Sequence, residues 1–131
     1  MANISAIANA VRSAMCDAMV DSLDAGSGAG KVKIYTTAKG TLLATITLND
    51  PAFGAASNGV ATVDSDPTIS GTAVAGGVAA VAEFTDSDDN IKFEGTVTAT
   101  GGGGALTLAS TTIANGGTVT IGGGTITIPA A

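Results

Sequence analysis

Apolar residues recur with a helical period over the first 25 positions and then, after a glycine-rich break, on alternate positions down to the C-terminus. In the first segment Ile4, Ile7, Ala8, Val11, Met15, Ala18, Met19 and Leu23 fall on one stripe, with Ala14 between them, while Arg12, Asp17, Asp21 and Asp24 fall off it. This predicts an amphipathic helix within residues 1–25. Asn3 or Ser5 can cap its start, and Gly26 is suited to a left-handed stop. The apolar stripe is expected to cover the rest of the domain in preference to docking on a neighbouring subunit. GSGAG (26–30) reads as a flexible joint.

Beyond the joint, residues 31–131 read as a single β domain. KVKIYT (31–36) points Val32 and Ile34 one way, and TLLATITL (41–48) aligns Leu42, Ala44, Ile46 and Leu48. TAKG between them predicts a hairpin. A loop over 49–59 carries Asp50-Pro51, Asn58-Gly59 and Phe53, which is expected to tuck the loop onto the core. Short strands follow in VATV (60–63) and TISGTAVA (68–75), and DSDDN (86–90) closes a hairpin between VAAVAEFT (78–85) and IKFEGTVTAT (91–100). GGGG (101–104) is expected to be a flexible break. The near-identical GTVTI (117–121) and GTITI (124–128) are expected to pair with each other. Eight or nine short strands separated by turns predict a mainly β fold, an antiparallel β-sandwich or jelly-roll-like domain behind one N-terminal helix, with a β-solenoid as the minor alternative.

Composition adds a constraint on packing. Val, Ile, Leu and Phe together number only 29 of 131 residues, against 25 Ala and 19 Gly. Alanine methyls bury little area, so the core is expected to be thin and self-association to help it. The net charge is −6, and Lys92 is the only basic residue after position 41. That balance disfavours nucleic acid, which needs clustered Lys and Arg, and anionic membrane surfaces for the same reason. The sequence shows no signal peptide and no apolar run long enough to span a bilayer.

Candidate chemistry is sparse. The chain has no histidine, so triads that use it as the base are ruled out. Cys16, the single cysteine, reads as a small buried hydrophobe. DSDDN resembles the start of a calcium loop, but Ile91 stands where such a loop needs glycine and Val97 where it needs a bidentate glutamate. A hairpin turn is the better reading. The glycine runs lack the Lys-Ser/Thr continuation of a phosphate loop. The expectation is a protein that is not an enzyme and needs no cofactor.

The order of segments resembles small structural proteins of tailed bacteriophages. The N-terminal helix is followed by KIYTTAKG (33–40), GTLLATITLNDPAF (40–53), SGTAVAGGVAAVAEFTDSDDN (70–90), EGTV (94–97) and an L-x-L…I-x-x-G-G-x-V-x-I pattern over 106–121. Similar sequences carry an aromatic-rich, arginine-containing strand where this chain has VAAVAEFT; Phe84 remains, and Glu83 stands near the arginine position. The resemblance implies a virion protein made in the host cytoplasm that decorates and cements the outer capsid surface. Its implied partner is the major capsid protein, and it implies a homo-oligomer, often a trimer. A tail or fibre-base component and a bacterial surface or pilus-like subunit are the alternatives. The candidate contact residues are Ile4, Ile7, Val11, Met15, Met19, Tyr35 and Phe53.

Overall fold

A computed structural model of the chain describes residues 5–37 and 40–129. The fold is mainly β with one N-terminal helix. Helix α1 spans Asn9–Asp21 and runs into a 3-10 turn at Ser22–Asp24. Eleven short strands follow among the described residues: β1 Lys31–Tyr35, β2 Leu42–Thr47, β3 Val60–Thr62, β4 Ser70–Thr72, β5 Gly77–Val78, β6 Val81–Thr85, β7 Ile91–Ala99, β8 Leu106–Leu108, β9 Thr112–Ile113, β10 Thr118–Gly123 and β11 Thr125–Thr127.

Seven strands form one sheet in the order β2-β1-β6-β7-β8-β10-β4. Its two ends approach each other. The Val74 N–H donates to the Leu43 carbonyl at 2.8 Å, and a Cβ added to Gly71 would lie 2.9 Å from Ile46 Cγ1. The sheet is therefore curled almost into a barrel, which hides the edges that an open sheet would expose. Its inside is filled by Phe84, Ile34, Leu43, Ile46, Leu106, Leu108 and Ile121, all essentially inaccessible to solvent. Two ribbons complete the domain, β11–β3 and β5–β9.

The β1–β2 and β6–β7 hairpins form as expected. A bulge lies in the first: Ile34 faces Ala44 but Tyr35 faces Leu42. Leu43 is the extra residue, and it turns into the core while Leu42 is only half-buried. The expected alternation of Leu42 with Ala44 is thereby broken.

Four other local expectations differ. The GTVTI and GTITI segments do not pair with each other; β10 lies between β8 and β4, and β11 pairs with β3. Gly124, at φ +157°, is where the chain leaves one sheet for the other, and its missing Cβ leaves room for the Ala105 carbonyl. The GGGG run is packed, not merely a break. It leads the chain back to the level of Val97, so that β8 sets off again in the same direction as β7, with Val97 opposite Leu106; Gly104 is buried and its N–H donates to Thr98 Oγ1 at 3.0 Å. The 26–30 joint is likewise tied down: Gly30 is buried and accepts from Leu48 N–H at 2.9 Å, and Gly28 N–H donates to Ser87 Oγ. Gly26 does not have the left-handed conformation expected of a stop.

Candidate interaction surface

Helix α1 lies on its own β domain, with a face that only partly overlaps the one its apolar period suggests. It begins at Asn9, without a side-chain cap, and its buried residues are Cys16 and Val20, with Leu23 following in the 3-10 turn. Flanking these, polar residues make the contacts, among them Arg12, Asp17 and Asp24, which the period places off the apolar stripe. Arg12 Nε donates to the Ile128 carbonyl at 3.0 Å, and its guanidinium also donates to Asn9 Oδ1. Ser13 Oγ accepts from Gly59 N–H at 3.1 Å, Asp17 Oδ1 from Ala56 N–H at 2.7 Å, and Asp24 Oδ1 from Ala52 N–H at 3.3 Å. The physical reason lies in the partner surface. The 52–59 loop has few strand hydrogen bonds of its own, so its N–H groups need acceptors, and the helix supplies them.

Burial raises the Asp24 carboxyl above its ordinary range, with the Ala52 N–H opposing and the nearby Asp50 and Asp21 charges adding to the rise. Burial likewise raises the Cys16 thiol, which sits 3.5 Å from the Ile126 carbonyl and is thus a packed hydrophobe, not a reactive group.

The inner face is thus a narrow apolar line of Cys16, Val20 and Leu23 flanked by hydrogen-bonded polar groups, and other apolar side chains are left pointing outward. Val11 is 52% and Met15 44% exposed, and Ala10, Ala14 and Ala18 are exposed beside them. Ile7 is half-buried just before α1, and Met19 is half-buried against the core. Ile4 lies outside the described residues. The expected docking stripe is therefore corrected in part: Val11 and Met15 face solvent, Met19 and Leu23 pack on the domain as expected, and Cys16 and Val20 dock beside them.

The other two candidate contacts lie elsewhere. Phe53 is 4% exposed and bridges to Val63, its ring 6.0 Å from Phe84, which in turn stacks on Phe93 at 4.7 Å. All three phenylalanines thus form one cluster, and Phe53 anchors its loop as the sequence suggests; it is not free to contact a partner. Tyr35 is half-buried at the end of β1.

The DSDDN turn uses its carboxylates internally. Asp86 Oδ1 accepts from Asp88 and Asn90 N–H at 2.9 Å each, and Oδ2 accepts from Asn90 Nδ2 at 3.1 Å and faces Lys92 Nζ at 3.5 Å. The Asn90 N–H and side chain, with help from Asp88 and Lys92, hold the Asp86 carboxyl below its usual range. Asp89, at φ +67°, pairs with Lys31 at 3.3 Å and Lys33 at 3.4 Å, and Lys31 lowers its pKa most. Among the described residues no group of three metal-ligating side chains comes together, and no helix is long and apolar enough to cross a membrane.

A cleft of about 300 Å³ opens between β8, β9 and β10, walled by Leu108, Ile113 and Val119 and edged by Ser110, Thr112 and Thr118. None of its lining residues is titratable. Sequence reasoning did not mark it, because Thr and Gly in short strands look alike whether they line a cleft or a flat face. Comparison with known protein families, with curated proteins and with solved structures finds no match to this chain.

Proposed function

We propose that this chain is a non-enzymatic structural protein of a tailed-phage particle, bound to the outer capsid surface as a decoration or cement protein. The reading starts from the ordered resemblance described above. The observation that carries it further is the outward face of α1. Val11 and Met15, with Ala10, Ala14 and Ala18, form a charge-free apolar stretch on a helix whose other face already rests on its own domain. Such a face gains nothing from water and is suited to burial against a protein partner.

Cementing is non-covalent under this reading. Each subunit buries area on the shell, where stable contacts involve roughly 1,200–2,000 Å² in total. Copies joined to one another then hold adjacent capsid subunits together through several modest contacts.

The test is coexpression with the major capsid protein of the same genome, followed by sedimentation of the assembled shells. The wild-type chain should sediment with the shells and raise their melting temperature. A Val11→Asp, Met15→Asp double variant should fold normally and stay in the supernatant. A wild-type chain that never joins the shells, or a variant that binds as well as wild type, overturns the reading. Binding to tails in place of heads would transfer the protein to the tail or fibre-base class.

A further inference from the structure

The chain's charge is confined to part of the fold. All sixteen charged residues lie within positions 12–66 and 83–94; positions 67–82 and 95–131 contain none. The sheet topology gathers those two charge-free segments. Strand β4 pairs with β10, β5 pairs with β9, and β8 lies beside β10. Backbone bonds seal the join: Ala73 N–H donates to the Gly117 carbonyl at 2.8 Å, Gly116 N–H to the Ala73 carbonyl at 2.9 Å, and Ala79 N–H to the Thr111 carbonyl at 2.8 Å.

On this lobe two large apolar side chains stand in solvent. Val74 is 63% exposed and Val78 is 59% exposed, the two most exposed of the large hydrophobic residues described. Both belong to the 73–79 segment, and Val78 is opposite Thr112. Thr112 also edges the apolar-walled cleft between β8, β9 and β10. Val78 therefore stands beside a cleft that can receive apolar groups, with Val74 four residues away on the same charge-free segment.

We infer that this charge-free lobe is the surface through which two copies of the chain associate, with Val74 and Val78 of one copy seated against the other copy's lobe. Three observations select a second copy as the occupant. Each chain carries a net charge of −6, so identical copies repel except where they meet through a surface bearing no charge. Depletion of charge with exposed apolar residues at the centre is the composition of interface cores. Val78 beside the cleft gives each copy both a projection and a recess, which suits contact with an identical subunit. The inference stands independently of the capsid reading, since it uses a different surface from the outward face of α1.

The experiment is sedimentation velocity at micromolar concentrations on the full chain, with circular dichroism melting of each variant. Wild type should sediment as an oligomer, and raising salt should not dissociate it, because no ion pair lies in the contact. Val74→Glu, Val78→Glu should abolish association while keeping the fold, both side chains being exposed in the subunit. Val74→Ser, Val78→Ser should weaken it without adding charge, so that lost association cannot be ascribed to repulsion alone. Val11→Asp, Met15→Asp should associate as wild type does. A monomeric wild type, glutamate or serine variants that associate undiminished, or an oligomer lost on changing Val11 and Met15, each overturns the inference. Shell binding is not read in this experiment, so its result is separable from that of the capsid test.

Discussion

The hairpin of β6 and β7 and the lobe of β4, β5, β8, β9 and β10 solve the same problem, turning a chain back on itself, by different means. The hairpin turns on side chains: Asp86 accepts three hydrogen bonds, and Asp89 holds a left-handed backbone while pairing with Lys31 and Lys33. The lobe and its borders turn on glycines, with Gly101, Gly103, Gly116 and Gly124 all at positive φ. The first solution is sensitive to pH and salt because it is ionic. The second is sensitive to nothing but added volume. A single small domain can thus keep its electrostatics at one part of the surface and leave another part free of charge.

The comparison is broken most severely through the core that both regions share. Phe84→Ala removes the ring between Phe53 and Phe93 and should cost about 3–5 kcal/mol in urea unfolding, enough to threaten folding in a chain with so few large side chains. Next comes the glycine solution. Gly124→Ala places a methyl against the Ala105 carbonyl at a backbone angle suited to glycine, and should cost on the order of 1–3 kcal/mol. A Gly124→Ala protein that melts with wild type would show that the crossing of the two sheets is not constrained there.

The ionic solution is sharpened by pH. Asp86 and Asp89 have lowered pKa values, so their contribution is complete above the ordinary carboxylate value of about 3.9 and is lost as pH falls through their lower folded values. Asp24 runs the other way: its raised value makes its ionised form a penalty that protonation relieves as pH falls. Melting followed downward from neutral pH should therefore decline chiefly below about pH 4, and Asp86→Asn should flatten that decline. An unchanged acid limb in the variant would count against the turn's role. The smallest effect belongs to Val11→Asp, which should leave thermal stability within about 0.5 kcal/mol, because its side chain faces water; a large loss there would return α1 to the docking expected from its period.

Much of the fold is legible in the residues. Alternation in KVKIYT and the DSDDN turn locate both hairpins, and Phe53, one of three aromatic rings of its kind, announces an anchor. The candidate surface was harder to read. The helical period gathers Val11, Met15, Met19 and Leu23 on one stripe, yet the fold splits it, with Met19 and Leu23 on the domain and Val11 and Met15 outside, since hydrophobicity alone does not say which apolar residues meet the domain and which remain for a partner.

What the sequence determined by itself is whatever depends on neighbours along the chain: a helix first, short strands after it, turns at Asp and Gly, and a net charge of −6. Tertiary structure decided what depends on partners distant in sequence. The 52–59 loop needed hydrogen-bond acceptors, so Ser13, Asp17 and Asp24 face inward. Ala105 needed the space at Gly95 and Gly124, so β10 and β11 part company instead of forming a hairpin. Charge-free segments far apart in sequence became one surface only because β4 pairs with β10 and β5 with β9. Local periodicity carries no record of such pairings, which are set by the closing of the sheet on itself.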